Sequence, residues 1–262
     1  MIIAICGEEK TWKTTMALSF PTPLFHLDLD VGGFDRAKWR IPTDNITSKS
    51  YPIPIQIEKL MGAQKQGVSV RFPKKVMGYK EAWQSIVVDF VEACQNPEMK
   101  SIVIDSSTQL WLICHTSLLQ EKQEIQLSIK PGLHDADLRE KLQPIEFPNE
   151  RMRSLIYTAR SCKKNLILTH YPRDIYSQRV TDKGVEEYKT GETTVDGFKD
   201  TQKLVDLVVW LELKQNNKTK KYETHARITK CGLEGLGTEA VGLEVEPSYE
   251  GIVNLQKAMK GE

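Results

Sequence analysis

Gly7-Glu8-Glu9-Lys10-Thr11-Trp12-Lys13-Thr14-Thr15 places a lysine and a hydroxyl residue at a fixed distance behind a glycine, directly after the apolar run Ile2-Ile3-Ala4-Ile5-Cys6. That spacing suits a chain that wraps a phosphate. Consecutive backbone NH groups converge at a helix N-terminus, a lysine neutralises the outer phosphates and a hydroxyl ligates magnesium. On this reading Gly7, Lys10, Thr11, Trp12, Lys13, Thr14 and Thr15 form the loop, Lys13 meets the β and γ phosphates, and Thr14 holds the metal. The departure is Trp12, which stands where a second glycine would let the backbone approach the phosphate unobstructed. Trp12 still has its NH. If its backbone reaches the required angles with the indole turned outward, the donor set survives and the ring is free to stack on a base or to pack beneath a neighbouring loop.

Three further segments end in polar residues that fit the same chemistry. Ser101-Ile102-Val103-Ile104-Asp105 is an apolar strand closing on a carboxylate, placed to hold magnesium through its water shell. Leu24-Phe25-His26-Leu27-Asp28-Leu29-Asp30 alternates, so Asp28 and Asp30 share one side of an extended chain. Asn165-Leu166-Ile167-Leu168-Thr169-His170 ends in a Thr-His pair. Parallel strands bring their carboxyl ends to one edge, where ligands bind in open α/β sheets, so these residues converge.

The elements that must position them alternate. Strand-length apolar runs at 2–6, 24–29, 101–105 and 165–169 are separated by helical patterns: Trp83, Val87, Phe90, Val91 and Cys94 in one, Met152, Leu155, Ile156 and Ala159 in another. The expectation is an α/β fold with a mostly parallel sheet flanked by helices. Residues 205–213 and 222–229 flank a polar lysine-rich stretch and predict a C-terminal antiparallel hairpin that extends the sheet. Residues 249–259 predict a short terminal helix, and residues 121–148 and 173–200 are expected as loops. One domain, 1–262, is expected.

The 262 residues are 40% hydrophobic and 27% charged, which is enough for a full core. Five scattered cysteines without CxxC spacing indicate neither a disulfide framework nor a zinc site. No apolar stretch of membrane-spanning length and no secretory leader is visible, so a cytoplasmic protein without membrane contact is expected. The net charge of +1 makes no overall case for nucleic acid. Locally, Lys59, Lys65, Arg71, Lys74, Lys75 and Lys80 cluster with Phe72 and Tyr79, while Lys214, Lys218, Lys220 and Lys221 form a second basic group.

The segments GEEKTWKTTMAL, PLFHLDLDVGG, SIVIDSSTQL, NERMRSLIYTARSCKKNLILTHYPRD and DLVVWLELK, in that order over most of the chain, resemble RecA-like P-loop ATPases. In particular they resemble the compact phage branch that works with single-strand annealing proteins in recombination. The resemblance implies a RecA-like P-loop NTPase core, ATP and magnesium as cofactors, and a homo-oligomer in the cytoplasm of a bacterial host. It also implies single-stranded DNA as partner, alongside a single-strand annealing or single-strand binding protein. By position it assigns Lys13 and Thr14 to phosphate and magnesium, Asp105 to the Walker B aspartate, and Asp30 to the carboxylate that polarises the attacking water. His170 falls at the sensor of the γ phosphate, and Lys230 at the late lysine that reaches a neighbouring subunit's nucleotide. The family usually has glutamate at Asp30, so the shorter side chain sets its carboxylate about 1.5 Å farther back, which implies slow hydrolysis. Two other functions fit the same loop: a non-hydrolysing nucleotide-dependent adaptor or loader, and a small-molecule P-loop kinase, for which an arginine-rich lid is lacking.

Overall fold

Consecutive apolar residues in a strand require cover on both faces of its sheet, and the strands of this chain have it. A computed structural model describes residues 1–30, 32–54, 74–143, 146–181 and 184–261. In that structure the strands are β1 (Ile2–Gly7), β2 (Leu24–Asp28), β3 (Ile46–Ser50), β4 (Ser101–Asp105), β5 (Asn165–His170), β6 (Pro172–Thr181), β7 (Gly184–Val195), β8 (Leu207–Gln215), β9 (Tyr222–Cys231) and β10 (Glu244–Val245). The helices are α1 (Lys13–Leu18), α2 (Gly33–Ala37), α3 (Tyr79–Gln95), α4 (Ser107–Ile129), α5 (Pro148–Ser161), α6 (Thr201–Leu204) and α7 (Tyr249–Lys260).

Eight strands form one sheet in the order β10-β9-β8-β1-β5-β4-β2-β3. From β8 to β3 every pairing is parallel, and β9 and β10 add antiparallel edges. β5 therefore separates β1 from β4, and the chain ends nearest the loop after β1 belong to β5 and β8. The expected α/β architecture, with its C-terminal antiparallel extension, is the one observed.

Side chains alternate between the two faces. Ile2, Ala4, Ile102, Ile104, Leu166 and Leu168 pack with Trp83, Ile86 and Phe90 of α3, Leu110 and Ile113 of α4, and Ile156 of α5. Ile3, Ile5, Val103 and Ile167 pack instead with Met16 and Ala17 of α1 and Ile252 of α7. Phe90 is fully buried, so truncating it to alanine costs about 3–5 kcal/mol.

The structure differs from the sequence expectation in three places. Residues 173–200 are not a loop: β6 and β7 form a separate two-stranded antiparallel hairpin. Its strands are polar on both faces, with Arg179 opposite Glu186 and Gln178 opposite Glu187, and so lack the apolar alternation that marks a strand. Residues 121–129 continue α4 rather than opening a loop; with Ile125 and Ile129 exposed there, no buried stripe declares the helix. The edge strand β3, Ile-Thr-Ser-Lys-Ser, was not expected because three of its residues are exposed polar ones. Among the described residues no helix is long and apolar enough to cross a membrane, and all five cysteines are free.

Candidate nucleotide site

At the carboxyl edge of the sheet, the loop between β1 and α1 opens onto a cavity of about 580 Å³, a size that suits a small-molecule ligand. Gly7 begins the loop in close quarters: a Cβ there would lie 2.6 Å from Thr11 Oγ1 and 2.7 Å from the Leu211 carbonyl oxygen. Thr11 is buried and its hydroxyl donates to the Glu8 carbonyl, which pins the loop to itself. Lys10 and Trp12 both adopt left-handed backbone, with φ of 62° and 69°, a conformation that costs a non-glycine residue roughly 1–2 kcal/mol. Trp12 thus takes a backbone form that glycine reaches at no steric cost. Its indole is 44% exposed and carries the Arg40 guanidinium, whose central carbon lies 3.6 Å from the ring centroid. The ring therefore packs against the chain that follows α2.

Lys13 is buried and donates to the carbonyls of Gly7 at 2.8 Å and Glu8 at 2.7 Å, with its ammonium 4.4 Å from the centre of the Tyr171 ring. Burial lowers its pKa, and the nearby Asp105 charge opposes that shift. Lys10, Trp12, Lys13, Thr14, Thr15 and Asp30 all line the cavity.

Behind Thr14 lies a nest of acids. Thr14 donates to Asp105 Oδ2 at 2.5 Å, and Thr169 of β5 donates to Oδ1. His26 Nε2 stands 3.6 Å from Oδ2, with its other ring nitrogen 2.9 Å from the Ser48 hydroxyl. Burial alone would raise the Asp105 pKa; the imidazole of His26 and the two hydroxyls outweigh it, so the carboxyl lies below its usual range and is ionised. Asp28 pairs in register with Asp105, and its buried Oδ1 has no hydrogen-bond partner among the described residues. Gly33 leaves the space open: a Cβ there would sit 3.0 Å from Asp105 Oδ2 and 3.3 Å from Thr14 Oγ1. A hydroxyl, an ionised carboxylate and an unpartnered carboxylate oxygen around a small space fit magnesium, which keeps most of its waters and takes one or two protein ligands. Thr14 and Asp105 would hold it.

Asp30 lies at the cavity wall and accepts a hydrogen bond from the Tyr171 hydroxyl. Burial raises its pKa. His170 is placed differently from its neighbour. It is fully buried, does not line the cavity, and has Nδ1 2.9 Å from the Asp196 carbonyl at the end of β7. Tyr171, one residue on, reaches both Asp30 and Lys13, and sequence reasoning missed it. Its signal was its place just past a strand end that already carried two polar residues. Lys230 pairs in register with Val208, near the start of β8 and so at the opposite edge of the sheet, where its ammonium donates to the Gln202 carbonyl. The structure does not bring it to its own chain's loop.

Of the first basic cluster, Lys59, Lys65, Arg71 and Phe72 lie outside the described residues. Lys74 and Lys80 ion-pair with Glu140 and Glu124, each at 2.5 Å. In the second, Lys214 pairs with Glu244 at 2.7 Å, while Lys218, Lys220 and Lys221 are exposed in the turn between β8 and β9 beside Tyr222, which is also exposed.

Among solved structures, a KaiC-like protein from the hyperthermophilic archaeon Pyrococcus horikoshii OT3 is similar over 94% of this chain and 86% of that one, at 11% identity and a TM-score of 0.42. No curated protein sequence matches the chain. The AAA domain family, AAA_24, matches residues 1–231, a span that holds the phosphate loop, both strand-end acids and Tyr171, and the chain belongs to that family.

Proposed function

We propose that the chain binds ATP with magnesium, hydrolyses it slowly and works on single-stranded DNA in phage-type recombination or replication. It would act as an oligomer beside a single-strand annealing or single-strand binding protein. The observation that carries the nucleotide part is the meeting of Lys13 and Thr14 at one cavity, with the buried Asp105 accepting from Thr14 directly behind its wall. Bound magnesium would supply charge neutralisation between the outer phosphates. Lys13 exchanges the Gly7 and Glu8 carbonyls for phosphate oxygens. Asp30 accepts a hydrogen bond from the attacking water and orients it. Tyr171 holds the Asp30 carboxylate and fixes where that water is placed.

The DNA part is supported by the turn between β8 and β9. β8 is parallel to β1, so this turn projects from the same edge as the phosphate loop. There Lys218, Lys220 and Lys221 adjoin the exposed ring of Tyr222, the pairing of cations with a stacking surface that single strands favour.

One observation favours a second reading. Asp30 is engaged by Tyr171, which suits a loader that binds ATP and turns it over negligibly. ATP binding and turnover by the wild type and Lys13→Ala, each with and without single-stranded DNA, test both. Binding and DNA-stimulated turnover in the wild type, lost in Lys13→Ala, are expected. Tight binding without turnover selects the loader, and no binding by either protein ends both readings.

A further inference from the structure

The cavity has a cationic wall that the roles given to Lys13, Thr14, Asp30 and Asp105 leave unused. Arg36, in α2, and Arg40, just after it, both line it. Neither guanidinium has an ion-pair or hydrogen-bond partner among the described residues. The acid nearest in sequence, Asp35, is taken by Lys38 at 2.7 Å. Arg36 lies against the turn that leads out of β2, its Nη1 3.3 Å from where a Cβ on Gly32 would stand, and its charge acts on Asp30. Arg40 is held over the Trp12 indole. Trp12 itself is kept in left-handed backbone, and strain of that kind gathers where a side chain must be aimed. Among the lining residues, Lys10, Lys13, Arg36 and Arg40 face only Glu9 and Asp30, so the cavity is positive. Unpaired guanidinium groups beside a cleft suit phosphate oxygens, which they bind through two parallel hydrogen bonds.

We infer that Arg36 and Arg40 are same-chain cations for the terminal phosphate of the nucleotide, and that Trp12 is the positioning residue that parks Arg40 over the cavity. This rests on the nucleotide-site reading. It also gives Trp12 a purpose: the residue that costs the loop its glycine holds an arginine beside the phosphates. Because Arg36 shares the cavity wall with Asp30 and its charge acts on that carboxylate, the contact falls at the reacting end of the ligand rather than at its base.

The test is magnesium-dependent binding of ATP and of ADP, by calorimetry, to the wild type, to an Arg36→Ala/Arg40→Ala double variant, and to Lys13→Ala. Both arginines are exposed, so the double variant folds. It should lose about tenfold or more in ATP affinity, the worth of charged hydrogen bonds to one group, while its ADP affinity changes less than about twofold. Trp12→Leu should lose part of the ATP preference and Trp12→Phe should restore it. Equal losses for ATP and ADP, or none for either, overturn the inference and leave the nucleotide site standing. A wild type that binds neither nucleotide overturns both.

Discussion

Thr14 Oγ1 lies 2.5 Å from Asp105 Oδ2, joining the first turn of α1 to the end of β4 across 91 positions of sequence. The hydroxyl and the carboxylate of the proposed magnesium site are therefore already in contact, held from behind by Thr169. Asp105→Asn keeps the shape and removes the charge. Its expected effect is that magnesium no longer tightens ATP binding, a loss of tenfold or more. Titrating ATP with and without magnesium checks it; an unchanged magnesium effect in the variant would show that Asp105 is not the metal residue.

Gly33→Ala tests the same space sterically. Its Cβ would stand 3.0 Å from Asp105 Oδ2 and 3.3 Å from Thr14 Oγ1, in the space proposed for the metal. The helical position itself favours alanine by roughly 0.5–1 kcal/mol. Magnesium-dependent ATP binding should fall by more than any change in melting temperature accounts for, and a variant that binds magnesium and ATP like the wild type refutes the placement.

The site was legible in the sequence wherever chemistry sits at a strand end. Lys13 and Thr14 follow from their spacing behind Gly7, and Asp30 and Asp105 from apolar runs that stop on a carboxylate, because a parallel sheet gathers those ends on one edge. Thr169 was legible as half of a strand-end pair, though not as a partner of Asp105; His26 escaped because it lies inside β2, and only the register of β2 beside β4 puts it at Asp105. Arg36 and Arg40 escaped because nothing in their spacing says that α2 folds over the loop. The β6–β7 hairpin was unreadable for a different reason: with polar residues on both faces, its strands are held by pairing rather than burial.

His170 predicts a pH dependence of stability. Burial pushes its pKa down to about 4 from the ordinary 6.5, against an opposing pull from the Asp196 carbonyl. The folded protein therefore holds this ring neutral where the unfolded chain protonates it, and stability falls as pH drops from about 6.5 towards about 4. The full effect is about 3 kcal/mol. His170→Asn can still donate to the Asp196 carbonyl yet has no proton to gain. Its unfolding free energy should be flatter across that window, and a slope equal to the wild type's would show that another group carries the acid loss.

Asp30 decides whether the proposed slow turnover is a matter of reach. Its carboxylate is fixed by the Tyr171 hydroxyl and is one methylene shorter than glutamate, about 1.5 Å. Burial raises its pKa, Asp105 adds to the rise, and Tyr171, Lys13 and Arg36 oppose it. A base must be ionised to hold the attacking water, so turnover should have an acid limb set by this group. Asp30→Asn should cut turnover at least about tenfold with ATP binding retained. Asp30→Glu should raise turnover several-fold by closing the gap to the water, since rate falls steeply with misplacement of the catalytic group. Tyr171→Phe removes one of the interactions that keep the carboxyl ionised, and its acid limb should move to higher pH. If Asp30→Asn turns over like the wild type, the water is held elsewhere; if Asp30→Glu is slower, the Tyr171 contact rather than the length of the side chain sets the rate.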